Sequence, residues 1–142
     1  MLKKLKKNVR NLEENSNSEI LINTCVIINY YKKRKIIEIE GNAISIITLL
    51  EFLRGIPDNK RKEMLNLLKC MFKVINIDDI ILKYCEIYNE LKRKGKILDD
   101  ADLLIGCTAI TKGYKLFTNN KKHFERLKDY GLKFYGEGED DK

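Results

Sequence analysis

The sequence holds one histidine, one proline and no tryptophan, and none of its four cysteines forms a Cys-x-x-Cys pair. Those shortages exclude a zinc site of the usual Cys/His kind. No apolar run reaches the roughly 20 residues needed to cross a membrane. The basic start, residues 1–10, lacks the continuous apolar stretch of a signal peptide. A cytoplasmic protein is therefore expected, with Cys25, Cys70, Cys85 and Cys107 as reduced thiols. Cys70 and Cys107 fall in apolar patterns and read as small core residues. There is no glycine-rich phosphate loop, which argues against nucleoside triphosphate use. No serine or cysteine nucleophile has an evident histidine and acid beside it.

What is present fits one domain of 142 residues. Three segments are expected: a basic extension over 1–18, a folded domain over 19–135 and an acidic tail over 136–142. The formal charge is +7. Residues 1–10 hold five basic and no acidic groups, and residues 136–142 hold four acids and one lysine. The body between them is basic, which suits an anionic partner such as RNA or simply a solvated lysine-rich surface.

Along the chain, Leu2, Leu5, Val9 and Leu12 could line a short amphipathic helix, followed by a polar joint at 14–18. Residues 19–23 read as a buried strand, with Thr24 as the cap of a helix ending in the basic stretch 32–35. Residues 36–39 fit a helical turn or a strand. Residues 43–47 read as a second strand, and Thr48 as the next helix cap. Gly55 and Pro57 stop that helix. Residues 60–71 are amphipathic, with Met64, Leu67, Leu68 and Met71 on one face. A β-like segment over 72–77 precedes a helix over 79–94 whose apolar residues include Ile80, Ile81, Tyr84 and Ile87. Another helix opens at Asp99 or Asp100 and runs to Gly113. A strand over 115–118, a short helix over 121–129 and a strand over 132–135 complete the chain. This alternation predicts a parallel sheet with helices on both faces, and such sheets place their sites at the carboxyl ends of the strands.

Three groups of residues could carry chemistry. Glu51 lies among apolar neighbours, so it is either on an exposed helix face or buried with a partner. Asp99, Asp100 and Asp102 precede a largely apolar helix. They fit a helix start, where Asp99 and Asp102 have capping-box spacing, but Asp102 is the one placed to turn inward. Asn23 and Asn120 end or follow strands, at crevice positions. His123 reads as a surface residue or phosphate contact, since no neighbour in sequence could orient it as a base. Carboxylates without histidine favour hard cations, Mg²⁺ or Mn²⁺. Hard cations beside a basic surface suggest phosphodiester chemistry.

In this order the motifs resemble the PIN-domain family, and within it the VapC-type toxins. The resemblance rests on Asn23-Thr24 after an apolar strand, then Ser45-x-x-Thr48-x-x-Glu51 running to Arg54-Gly55. It continues with Asp102 followed by Leu103-Leu104-Ile105-Gly106, and Thr118-x-Asn120 with Phe124 four places on. It implies an α/β/α sandwich around a mostly parallel sheet. It also implies a ribonuclease whose Mg²⁺ or Mn²⁺ is held by Asn23, Glu51, Asp102 and Asn120, with Asp100 nearby. Ser45, Thr24 and Thr118 would orient those ligands. Cleavage would leave a 5′-phosphate and a 3′-hydroxyl. Lys32, Lys33, Arg34, Lys121, Lys122 and Arg126 would be RNA contacts. A VapB-like antitoxin and a second copy of the chain are the expected partners. Position 23 departs from the pattern, which has aspartate there, and the loss of a charge predicts weak or absent cleavage. A change made to silence a toxic nuclease, a naturally non-catalytic relative, or Asp100 as substitute would each account for it. The alternatives to a toxin are a non-catalytic module that binds RNA or protein, and a nuclease of RNA maturation.

Overall fold

The computed structural model of the protein describes residues 19–137. The expected amphipathic helix before residue 14, the polar joint and most of the acidic tail lie outside them. Five short strands form one sheet: β1 (Ile20–Ile22), β2 (Ala43–Ser45), β3 (Lys73–Ile75), β4 (Lys115–Phe117) and β5 (Lys133–Phe134). Their order is β3-β2-β1-β4-β5, and every pairing is parallel. The chain builds outward from β1 to β3, then returns to the other side of β1. The sequence of connections therefore reverses between β1 and β4, where a parallel sheet opens a crevice beyond its strand ends.

Alternation along each strand divides the core in two. Leu21, Ala43, Ile75, Leu116 and Phe134 join one buried cluster. Ile22 and Ile44 join the other, with Ile20, Val74 and Phe117 packed against it. Successive side chains leave opposite faces of a strand, so both faces are apolar and both need helices. One face is covered by α1 (Thr24–Lys32), α2 (Ile46–Leu53) and α3 (Asp58–Met71), through Val26, Ile27, Leu49, Phe52 and Leu68. The other is covered by α4 (Ile81–Arg93) and α5 (Asp100–Lys112), with Ile87, Leu91, Leu103, Ile105 and Cys107. The short α6 (Lys121–Phe124) and a 3₁₀ turn, Glu125–Tyr130, add Phe124 and Leu127. The result is the expected three-layer sandwich.

Several local expectations are corrected. Ile46 and Ile47 belong to α2, not to the second strand. The cap of α2 is Ser45, whose hydroxyl accepts from the Ile47 N–H at 3.0 Å, while Thr48 is buried inside the helix. Thr24 is the first residue of α1, and its cap position is Asn23, which makes no side-chain capping bond. Residues 36–39 form a 3₁₀ turn. Leu67 on α3 and Ile81 on α4 are about half exposed. In each case the apolar stripe is narrower than the periodicity suggested, because α3 and α4 lie on the outside of the sandwich and touch it along one line. Cys70 is exposed and only Cys107 is a core thiol. Gly113 ends α5 in the left-handed region (φ 72°), where a side chain would be strained.

Candidate metal centre

Asn23 and Thr118 stand at the carboxyl ends of β1 and β4, on either side of the reversal point. The Asn23 amide nitrogen donates to the Thr118 hydroxyl at 2.9 Å and lies 3.3 Å from the Cys25 sulfur. Both Asn23 and Thr118 are 5% exposed. With its NH₂ turned to those partners, the Asn23 Oδ1 is buried with no hydrogen-bond partner. A bare buried acceptor costs about 1–3 kcal/mol. An amide oxygen is a good donor to a hard cation, so this atom fits a metal site.

Glu51 is brought to the same strand end from α2. Its Oε1 accepts from the Thr24 hydroxyl at 2.7 Å, and that hydroxyl also lies 3.0 Å from the Thr48 hydroxyl. Arg54, one turn on, is 3.8 Å from the other carboxylate oxygen and mostly exposed. Glu51 is thus a partly buried carboxylate held in place by Thr24, which settles its two sequence readings in favour of a partnered, inward position.

Asp102, in the first turn of α5, meets α6. Its Oδ2 is 2.7 Å from His123 Nε2, and Asp99 Oδ1 lies 3.8 Å from the same nitrogen. Among the described residues, Asp99, Asp102 and His123 form a group whose ligand atoms all lie within 4.8 Å of one another. Burial raises the Asp102 carboxyl to about 6, the hydrogen bond with Asp99 adds to the rise, and His123 opposes it. The reading of His123 as a surface residue without an orienting partner is therefore corrected. The partner is 21 positions away in sequence, which no local pattern reveals. A signal did exist: Asn120 follows a strand end, and a helix starting there returns residue 123 to the same crevice. Its backbone N–H bonds the Asn120 carbonyl at 3.1 Å.

The other expected residues divide. Asn120 is exposed, and its N–H donates to the Thr118 hydroxyl at 3.0 Å. Asn23, Thr118, Asn120, His123 and Asp102 are thus joined by consecutive hydrogen bonds. Asp100 is turned to the Tyr84 hydroxyl, whose pKa that bond raises to about 12. Ser45 is occupied as the cap of α2. Asp99 caps α5 without a side-chain bond, so the capping-box reading of Asp99 and Asp102 is not made. Lys121 and Lys122 are exposed beside His123. Lys32, Lys33 and Arg34 are exposed at the far end of α1, roughly 13 Å from Asn23 at 1.5 Å per residue. Arg126 is committed elsewhere, donating to the Lys96 and Ile97 carbonyls at 3.0 Å each.

The sequence model of the PIN-domain family matches residues 20–130. The chain belongs to the PIN-domain family. All four motif positions, 23, 51, 102 and 120, fall inside the match. This PIN domain is 52% identical over 136 residues to Ribonuclease VapC1 of Methanocaldococcus jannaschii, covering 95% of this chain and 97% of that protein. Among solved structures it resembles VapBC-1 from nontypeable Haemophilus influenzae, with a TM-score of 0.68 and 27% identity over 82% of this chain and 96% of that one. It also resembles VapBC2 from Rickettsia felis bound to a DNA fragment from its promoter, with a TM-score of 0.63 and 27% identity over the same shares. No helix among the described residues is long and apolar enough to span a membrane.

Proposed function

We propose that this PIN domain is a ribonuclease of the VapC toxin type that hydrolyses phosphodiester bonds in RNA with a divalent cation, Mg²⁺ or Mn²⁺. The reading is supported by the similarity to a VapC ribonuclease together with two polar clusters, Asn23 and Glu51 at the end of β1 and Asp102 with His123 on α5 and α6, which hydrogen bonds through Thr118 and Asn120 connect. Asn23 Oδ1, Glu51 and Asp102 would hold the ion, with Asn120 at the rim. When bound, the ion supplies an activated water and neutralises charge on the phosphoryl group.

The chain's own residues do the rest. Thr24 holds the Glu51 carboxylate, and Thr118 holds the Asn23 amide nitrogen, which leaves the amide oxygen unpartnered for an ion. Lys121 and Lys122, exposed and next to His123 in the chain, would take RNA phosphates. Asn23 gives the site one negative charge fewer than an aspartate would, so affinity for the ion and cleavage are both weakened. A small antitoxin of the VapB kind is the expected inhibitor, and the likeness to two VapBC structures supports it. Single-stranded RNA incubated with Mn²⁺ tests the proposal. Slow cleavage with 5′-phosphate ends, stopped by EDTA and by Glu51→Gln, is expected. Cleavage that survives EDTA and Glu51→Gln would place the reaction at another site.

A further inference from the structure

We propose that His123 is a direct nitrogen ligand of the divalent ion, giving the site a preference for transition ions such as Mn²⁺ over Mg²⁺. This rests on the reading of the Asn23–Glu51–Asp102 region as a cation site and names a ligand beyond its oxygen donors. Ligands of one ion with bonds of about 2.1 Å stand roughly 3 to 4.5 Å apart. His123 Nε2 lies 2.7 Å from Asp102 Oδ2 and 3.8 Å from Asp99 Oδ1, with all three ligand atoms inside 4.8 Å. An ion entering between them needs only a small opening of the Asp102 contact. Asp99 is the most exposed of the three, with its side chain 65% accessible, and is free to adjust.

The ring is held in position. Its backbone N–H donates to the Asn120 carbonyl, and its ring packs T-shaped against Phe124 with centroids 5.5 Å apart. Phe124 is itself buried in the core. A second observation comes from Asn23: its Oδ1 is buried and unpartnered, while its amide nitrogen donates to Thr118, which also accepts from Asn120, the residue whose carbonyl anchors His123. With Asn23 neutral, an imidazole replaces bonding strength that a missing carboxylate would have supplied. Imidazole nitrogen suits iron, nickel, copper and zinc best; Mn²⁺, a transition ion that also takes oxygen, accepts it more readily than Mg²⁺, which keeps to oxygen.

The chain contains a single histidine, so any imidazole bound to an ion in the untagged protein is His123. Electron spin-echo measurements on the Mn²⁺-loaded chain, free of any histidine tag, read this directly. Modulation from a coordinated imidazole nitrogen is expected, and it disappears in His123→Gln. Calorimetric titration should show His123→Gln weakening Mn²⁺ by at least about tenfold with Mg²⁺ little changed. Bound Mn²⁺ without nitrogen modulation, or equal losses for both ions, overturns the proposal and leaves His123 as a partner that only orients Asp102. Failure of Mn²⁺ to bind at all also overturns it. RNA cleavage by the Asn23→Asp form, assayed separately, shows whether the ribonuclease reading survives that failure.

Discussion

At Asn23 the two halves of one amide have different fates. The nitrogen is bound by Thr118 and Cys25, and the oxygen is buried without a partner. Asn23→Asp puts a charge where only a bare oxygen stood. In EDTA it should destabilise the fold by roughly 2 kcal/mol, since an unpaired buried charge costs more than a neutral acceptor. With Mn²⁺ in about 100-fold excess over its dissociation constant, binding should return about 2.7 kcal/mol. Thermal melts of both forms, with and without Mn²⁺, check this; an equal response to Mn²⁺ in the two forms would count against Asn23 as a ligand. Asp102 makes a prediction of its own in the metal-free protein. Its folded pKa lies above the usual carboxylate value, so the folded state holds its proton more tightly than the unfolded chain does. Its contribution is fully present below about pH 4 and is lost as pH rises through about 6. Asp102→Asn in EDTA should therefore flatten the fall of stability over that window. Asp102 and Glu51 could be picked out in the sequence because carboxylates beside apolar stretches are conspicuous. The Asp102–His123 and Asp100–Tyr84 contacts could not, because they join residues on different helices.

At the level of elements, Ser45 ties a helix end to the site. It stands in the family motif, yet its hydroxyl serves to cap α2, the helix that presents Glu51. Ser45→Ala should cost about 1 kcal/mol by leaving a helix N–H without its acceptor, measurable by urea unfolding. Ser45→Thr should retain most of that stability. If Ser45→Ala leaves stability unchanged but stops cleavage, the hydroxyl acts on the site and not on the helix. Strands and helices were legible along the chain because turn signals and apolar runs alternate at the lengths a parallel sandwich needs. Their ends were not. Thr24 and Thr48 look like caps from sequence, but their hydroxyls meet each other and Thr24 also donates to Glu51, inside their helices. A side chain recruited by another element abandons the local role its neighbours suggest.

Across the whole molecule, the basic character read from composition separates into groups with different duties. Lys121 and Lys122 are exposed neighbours of His123 in the chain, Lys32 to Arg34 lie at the far end of α1, and Arg126 pins the 96–97 backbone. Lys122→Gln should reduce the salt dependence of RNA binding by about 0.7 in the log–log slope. Arg126→Gln should lower thermal stability and leave that slope unchanged. The reverse result would make Arg126 the RNA contact. On the proposed function, the crevice between β1 and β4 would be a cation-dependent nuclease site that Asn23 leaves one charge short. The measurement that meets it most directly is the rate of RNA cleavage in Mn²⁺ by this chain and by Asn23→Asp, side by side. A large gain is expected for the aspartate form, abolished by Glu51→Gln in the same background. Equal rates would contradict the role given to Asn23, and no cleavage by either form would contradict the nuclease site itself.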